Sequence, residues 1–344
     1  MTKKLRLAVL MGGPSAEREI SLVTGKAICE QLNKKKYDIL PLFISKENKI
    51  FLDRGYYELL NADNKKSKTV AKKMVPIKDD DLTKNKIDMV FIALHGTFGE
   101  DGTLQGMLEA MNLPYTGSKV LASALAMNKV YANQVYFTNG LPFPQFIHFK
   151  KDGWKNRRDS IIGDVSERVG YPCVLKPVDQ GSAVGVSIVK NEAELLSQIN
   201  KSIKKFPWLM VQKFVVGKEA TCGVIEKDGS PIALPPTRII PNLGEFYDYK
   251  SKYKAGGSTH VCPADFPGHI NHDLQELALK AHIALGCKAM SRTDIFVGDD
   301  GGYYILETNT IPGMTKTSLL PEAAKAAGIP FDKMLDYIIK ASKK

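Results

Sequence analysis

The sequence predicts an α/β protein: an open parallel α/β sheet domain at the N-terminus, passing to α+β in the C-terminal part. Three observations carry that expectation. Leu5 to Met11 reads as a strand, followed by the tight turn Gly12-Gly13-Pro14 and a helical stretch. Ile87 to Leu94 (IDMVFIAL) is a continuous apolar run, the pattern of a parallel strand buried on both faces. From Leu209 onward strand-like segments dominate and close in a hairpin, Met290 to Val297 and Tyr303 to Asn309 around the turn Gly298 to Gly302.

Each element follows from local pattern. Ser15 to Leu32 reads as a helix with Ile20, Val23, Ala27 and Ile28 on one face. A less regular, lysine-rich stretch runs from about Ser45 to Lys86, and no role for it follows from the sequence. A glycine-rich loop from His95 to Gly102 leads into a helix carrying Leu104, Leu108 and Met111. In such βαβ arrangements ligands gather at the carboxyl ends of the strands, where Glu17 and His95 lie. The rhythm changes near residue 118, where one long helical stretch reaches Asn139. Strands Pro172–Pro177 and Val184–Val189 flank the loop Asp179 to Ala183, and Asn191 with Glu194 forms a capping box for the next helix. The segment 241–263 has little regular pattern, and its tyrosines argue against disorder.

Composition excludes several classes. The 344 residues suffice for two or three domains; 44% hydrophobic and 25% charged residues are ordinary for a soluble globular protein. No apolar stretch approaches a membrane span. The start KKLRLAVLMGG only faintly imitates a signal peptide, its apolar run being short and interrupted by Arg6. Five widely spaced cysteines, without CxxC pairs, fit reduced thiols in a cytoplasmic protein. The net charge of +11 sits largely in lysine runs without aromatic interleaving, so nucleic acid is not expected as a partner.

The chemistry concentrates in the C-terminal hairpin. Counting outward from its turn brings Asp294 within about one residue of the position facing Glu307. Glu307 and Asn309 share a face, as Arg292 and Asp294 do opposite. Such a face is either a solvated polar surface or an all-oxygen site for Mg²⁺, since converging carboxylates need positive charge between them. Lys176, closing a short strand before a Gly-Ser loop, either snorkels to water or meets phosphate oxygens. No P-loop and no GxGxxG motif is present, so a nucleotide site here would be neither P-loop nor Rossmann. Glu17 suits the positive end of its helix or a substrate ammonium, and His95 is better placed for ligand contact than for packing. Arg292 could neutralise the acidic cluster or aim at developing negative charge, with the Gly313 N–H nearby.

Taken in order, the motifs resemble the D-alanine–D-alanine ligases of the ATP-grasp superfamily over essentially the full chain. They are GGPSAEREIS (12–21), ALHG (93–96), GEDGTLQG (99–106) and LPYTGS (113–118), then VLKP (174–177), GSAVG (181–185), YDYKSKY (247–253), LETNT (306–310) and PGMT (312–315). The resemblance implies an ATP-grasp fold with an N-terminal domain at 1–117, a central subdomain at 118–211, and a C-terminal subdomain at 212–344 carrying a closing loop, 241–263. It implies ligation of two D-alanines through a D-alanyl phosphate, for peptidoglycan and cell-wall synthesis, with D-Ala–D-Ser or D-Ala–D-lactate ligation, or a non-catalytic nucleotide-binding regulator on the same fold, as the alternatives. ATP would meet Lys129, Lys176, Gln212, Lys213, Phe214, Val215, Glu219 and Lys252. Two Mg²⁺ ions, or Mn²⁺, would bind Asp294, Glu307 and Asn309. Glu17, Ser182 and Tyr253 would form a hydrogen-bonded set, with Glu17 on the first ammonium and His95 near the first carboxylate. Arg292 and Gly313 would hold the oxyanion, and Ser318 and Leu319 the second carboxylate. A cytoplasmic homodimer is the corresponding expectation. Three positions depart from the pattern: Gln212 replaces a frequent glutamate facing adenine, Gln180 a common acid, and Ala183 a frequent serine. An amide oxygen at Gln212 could still accept from the adenine amino group.

Overall fold

The structure, a computed structural model, describes residues 3–61, 74–77, 87–242, 257–315 and 317–343. Three sheets organise these residues. The first has the order β4-β3-β2-β1-β5, from β1 (Leu5–Gly12), β2 (Tyr37–Ile44), β3 (Ile50–Asp53), β4 (Met74–Ile77) and β5 (Met89–Ile92). Strands β2, β1 and β5 run parallel, as the apolar runs predict. Strands β3 and β4 add antiparallel, so the lysine-rich stretch contributes an edge to the sheet, as does α2 (Arg54–Asn61) beside it.

Helix α1 (Arg18–Gln31) begins three residues later than the sequence suggests, and Glu17 is its N-cap rather than a first-turn residue. Its buried face is Ser21, Thr24, Gly25, Ile28 and Cys29, while Val23 is exposed. The cause is close approach to β1: a Cβ on Gly25 would stand 2.5 Å from Met11 Cβ. Only small residues fit that seam, and the bulkier Ile20 and Val23 are rotated onto the wall of the cleft. Helix α3 (Thr103–Ala110) buries Leu104 and Leu108 as expected.

The expected long helix near 118–139 is two: α4 (Val120–Met127) and α5 (Lys129–Thr138). Asn128 interrupts it in an extended conformation, its side-chain oxygen accepting from the Val130 and Tyr131 N–H groups. The second sheet has the order β6-β9-β7-β8, with β6 (Phe146–Lys150), β7 (Cys173–Pro177), β8 (Ser187–Val189) and β9 (Trp208–Lys213). It is backed by α6 (Lys151–Asn156), α7 (Arg158–Asp164) and α8 (Glu192–Ser202). The capping box forms in a shifted version: Asn191 Oδ1 accepts from Glu194 N at 3.0 Å, while Glu194 Oε2 accepts from Lys190 N at 2.9 Å. Strand β8 starts later than predicted, because Ser182, Ala183 and Gly185 take left-handed conformations.

The third sheet has the order β13-β12-β10-β14-β15, with β11 also on β10. Its strands are β10 (Gly217–Lys227), β11 (Ser230–Ala233), β12 (Thr237–Pro241), β13 (Ser258–Val261), β14 (Met290–Gly298) and β15 (Tyr303–Asn309). Strand β13 pairs with β12, so the segment 241–263 is more regular at its end than its sequence suggests. Helices α4 and α5, in the central segment by sequence, contribute Ala126, Ala132 and Tyr136 to a core with Ala220, Ile295 and Ile305 of this third sheet, and α9 (Gly268–Ala284) joins them.

The last two helices, α10 (Leu319–Ala326) and α11 (Phe331–Ala341), return to the first sheet. Leu335, Ile338 and Ile339 share one core with Leu7, Ile39 and Phe91. Asp336 accepts from Tyr37 Oη at 2.8 Å and pairs with Lys36. The Gly117 N–H donates to Ser342 Oγ at 3.1 Å. The chain's end is thus tied to its beginning, which fixes the distance across the cleft between the first and third sheets.

The seam at Gly25 makes a prediction of sign. In a helix interior, glycine to alanine ordinarily stabilises by about 1 kcal/mol. Gly25→Ala is expected to destabilise instead, by about 1–3 kcal/mol, because overpacking against Met11 outweighs propensity. Urea unfolding at unchanged m-value measures it, and a gain in stability would contradict the close packing.

Candidate active site

Strands β14 and β15 set the site. Asp294 stands directly opposite Glu307, and Arg292 opposite Asn309. The register shifts between Asp294 and Ile295, whose partner is Ile305, so Leu306 is the extra residue of a bulge. That bulge is the source of the one-residue ambiguity met when counting from the turn. It keeps the two carboxylates across from each other while Leu306 lines the deeper cavity. On the opposite face Thr293 and Thr308 bond to each other at 3.0 Å, and Tyr136 Oη of α5 donates to Thr308 Oγ1 at 2.8 Å. The face of Arg292, Asp294 and Glu307 points to the cleft and is not a solvated polar surface: Asp294 is 4% exposed.

Protein cations compensate the carboxylates. Arg292 Nε and Nη2 donate to the two oxygens of Asp294, each at 3.0 Å, and Thr221 Oγ1 donates to Asp294 Oδ1 at 2.6 Å. Lys129 Nζ lies 3.1 Å from Glu307 Oε2 and donates to the Gln180 carbonyl at 2.7 Å. Asn309 Oδ1 accepts from Ile311 N at 3.0 Å. The positive charge that the sequence requires between the acids is therefore supplied by Arg292 and Lys129 in the structure itself. Among the described residues no cluster of three His, Cys, Asp or Glu side chains forms a metal cage. The donor set of two carboxylates and an amide oxygen nevertheless fits a hard divalent ion completing its shell with phosphate oxygens and water. Thr221, which the sequence reading passed over, orients Asp294 from the neighbouring strand β10.

Lys176 does not snorkel to water; it lines a cavity from within. It is buried, and its Nζ donates to Gln212 Oε1 at 2.7 Å across the β7–β9 pair. Burial, then the nearby Lys129 charge, lowers its pKa to about 7, with Glu307 opposing the shift. The Gln212 oxygen expected to read adenine is thus engaged by Lys176, and its Nε2 donates to the Pro144 carbonyl at 3.5 Å. Gln212, Lys213, Phe214, Val215 and Glu219 line one cavity of about 170 Å³ with Lys129, Lys176, Asp294 and Glu307. It opens between the second and third sheets.

A second cavity, about 360 Å³, lies between the first and third sheets and is lined by Glu17, His95, Lys129, Ser182, Arg292, Glu307, Gly313, Ser318 and Leu319. At one end Ser182 Oγ donates to Glu17 Oε1. Glycines on both sides let that carboxylate in: a Cβ would stand 2.7 Å from Glu17 Oε2 at Gly96 and 3.2 Å at Gly181. Ser15 Oγ donates to the His95 carbonyl at 2.6 Å, joining the two loops. His95 is buried yet borders the cavity, with Nε2 3.0 Å from Thr24 Oγ1 and Nδ1 3.9 Å from Glu100 Oε1. Glu100 is a further acid the sequence reading left without a role. Its Oε2 accepts from Gly96 N at 2.6 Å, and burial pushes its carboxyl up. At the other end Ser318 occupies the N-cap position of α10 without a side-chain cap bond; its Oγ instead accepts from Thr315 N at 3.0 Å, beside Gly313. The free N–H groups of a helix start at Leu319 suit a carboxylate there. Lys252 and Tyr253 lie outside the described residues.

Comparison with known proteins agrees with this geometry. Family models described as the D-ala D-ala ligase N-terminus and C-terminus match residues 6–118 and 135–340. The chain is 39% identical over 348 residues to a D-alanine–D-alanine ligase of Leptospira interrogans, covering 98% of both chains. It is 42% identical over 341 residues to one from Syntrophobacter fumaroxidans, again covering 98% of each. Among solved structures it is similar to the VanG D-Ala:D-Ser ligase from Enterococcus faecalis, with a TM-score of 0.85 at 30% identity over 99% of this chain and 100% of that one. It is similar also to the ATP-complexed D-alanine–D-alanine ligase from Bacillus anthracis, with a TM-score of 0.74 at 30% identity over 98% and 97%.

The Lys176 environment gives a direct test. With Gln212 neutral, Lys176 titrates near 7, charged below that pH and largely neutral above it. In Gln212→Glu a carboxylate would face the ammonium at hydrogen-bond distance, and the midpoint is expected to move up toward the ordinary lysine range. Carbon NMR of lysine labelled at Cε, with Lys176→Met to assign the signal, reads both values; a wild-type midpoint near 10 would overturn the assignment.

Proposed function

The chain belongs to the D-alanine–D-alanine ligase family, and from that premise we infer how its cleft joins two D-alanines at the expense of ATP, for peptidoglycan precursor synthesis. One observation carries the reading: Lys129 and Glu307 line both cavities. A nucleotide in the smaller one would present its terminal phosphate where the larger one holds an amino acid.

In the proposed course, Glu17, steadied by Ser182, holds the ammonium of the first D-alanine, and His95 lies near its carboxylate. Adenine and ribose lie against Gln212, Lys213, Phe214, Val215 and Glu219. Lys129 and Lys176 neutralise phosphate oxygens; anionic phosphate favours the ammonium form of Lys176, which is partly neutral at pH 7 without it. The substrate carboxylate attacks the γ-phosphorus and ADP leaves, giving a D-alanyl phosphate. Phosphoryl transfer needs positioning and charge neutralisation more than covalent participation by the protein. Magnesium or manganese, held by Asp294, Glu307 and Asn309, would supply part of that neutralisation. The amine of the second D-alanine, its carboxylate anchored at Ser318 and Leu319, then attacks the acyl carbon. Arg292, oriented by Asp294 and Thr221, and the Gly313 N–H receive the oxyanion, and phosphate leaves. We place Lys252 on a phosphate and Tyr253 beside Glu17 and Ser182. Closure of 241–263 over the cleft would protect the acyl phosphate from water.

We also propose functional units at 1–117, 118–211 and 212–344, and a homodimer in the cytoplasm. Support for the units comes from the three sheets, and for the rest from the resemblance. Among the described residues no helix is long and apolar enough to cross a membrane.

Incubation with ATP, a divalent ion and D-alanine is expected to release phosphate and yield D-alanyl-D-alanine, identified by mass spectrometry. D-Serine and D-lactate are expected to compete poorly at neutral pH; a mixed product in preference to the dipeptide would reassign the second subsite. Glu307→Ala is expected to lower turnover by at least about 10³-fold, the scale on which losing a transition-state charge contact acts. Its circular dichroism and melting curve should match the parent's, and retained turnover would remove Glu307 from the site.

A further inference from the structure

The second amino acid reaches the cleft as an ammonium ion, which has no lone pair for attack, so its proton must leave within the site. Among the described side chains at the Ser318 end of the larger cavity, His260 alone offers an imidazole nitrogen as proton acceptor. His95, the other histidine on that wall, lies at the opposite end with Glu17 and Thr24.

His260 is built as a base. It sits on β13 opposite Ile239 of β12, with its ring against the first turn of α10. Its Nδ1 lies 3.1 Å from Glu322 Oε2, and the Glu322 N–H donates to the Ser318 carbonyl at 3.1 Å, one helical turn from the proposed carboxylate anchor. A carboxylate can only accept, so Nδ1 carries the hydrogen and Nε2 presents its lone pair. At Nε2 the partner is Ser258 Oγ, at 3.2 Å. Ser258, His260 and Glu322 thus form a hydroxyl–imidazole–carboxylate chain, in which the acid orients the ring. Among the described residues the charged and titratable groups around the ring are few. Glu322 comes from α10, Cys262 follows on β13's exit, and Arg292 stands on the same cavity wall; Arg238 of β12 is engaged with Asp265.

We propose that His260 accepts the proton of the second D-alanine's ammonium, with Glu322 as its positioning residue. This rests on the ligase reading above. The ammonium takes the place of the Ser258 hydroxyl on Nε2 and passes its proton there. The amine lone pair forms the C–N bond to the acyl carbon, the C–O bond to phosphate breaks, and phosphate leaves with that electron pair, carrying away the second nitrogen proton as hydrogen phosphate. Glu322 faces the resulting imidazolium until its proton returns to solvent.

Hydroxylamine separates this step from the rest, because it is a neutral nucleophile at pH 7 and needs no base. The full-length enzyme with ATP, Mg²⁺ and D-alanine is assayed for dipeptide and, with hydroxylamine added, for D-alanyl hydroxamate. In His260→Gln, dipeptide formation at pH 7 is expected to fall by about 10²–10⁴-fold, the usual contribution of a general base. Hydroxamate formation should hold its parental rate, and the residual dipeptide rate should climb with pH as free amine accumulates. In Glu322→Gln dipeptide formation should fall through kcat rather than KM for the second D-alanine, with hydroxamate formation unchanged, since the carboxylate no longer holds the ring. Equal loss of both products in His260→Gln, or an unchanged dipeptide rate, would overturn the proposal. If the parent enzyme gave neither product, the ligase reading itself would fall.

Discussion

Everything in the cleft is arranged around keeping two carboxylates, Asp294 and Glu307, opposed across one β-ribbon in a largely buried setting. Opposed like charges in low dielectric are untenable without compensation. Arg292 and Thr221 hold Asp294, and Lys129 holds Glu307. The consequences spread outward. Lys129 comes from the start of α5, just past the break at Asn128, where the helix packs on the third sheet through Ala132 and Tyr136 and on the second through Val130. Thr221 ties β10 into the site, and the bulge at Leu306 preserves the opposition while turning an apolar side chain toward the smaller cavity.

Lys176 shows the same constraint from its other side. Two lysines approach one glutamate, and the more deeply buried one has a neutral amide, Gln212, as its hydrogen-bond partner. The charges lining the smaller cavity balance formally, Lys129, Lys176 and Lys213 against Glu219, Asp294 and Glu307, and an anion entering it would favour the charged form of Lys176.

The two cavities differ in what defines them. The smaller is a gap between the second and third sheets, each built from neighbouring strands. The larger lies between the first and third sheets, which are far apart in sequence, and its width is set by α10 and α11 reaching back to the first sheet. Asp336 with Tyr37 and Lys36, and Ser342 with Gly117, are the polar fasteners of that return. Glu17 at one end of this cavity and Ser318 at the other are consequently positioned by a core shared between the chain's two ends.

Local pattern alone determined much: the parallel strands β1 and β5, the capped α8, and the hairpin that brings Asp294 to Glu307, all following from alternation, turn chemistry and short-range caps. Its motifs also identified the family. The tertiary structure decided what depends on contacts distant in sequence. Apolar periodicity placed Ile20 and Val23 of α1 in the core, yet the 2.5 Å approach of Gly25 to Met11 hands that role to small residues and makes the apolar ones cavity wall. Nothing local reveals that Lys176 ends on Gln212, or that Thr221 supports Asp294. Nor does it show His260 meeting Glu322, 62 residues away. These pairings arise only when three sheets close on one cleft, because a side chain's charge state and partner are set by the burial and neighbours that closure creates.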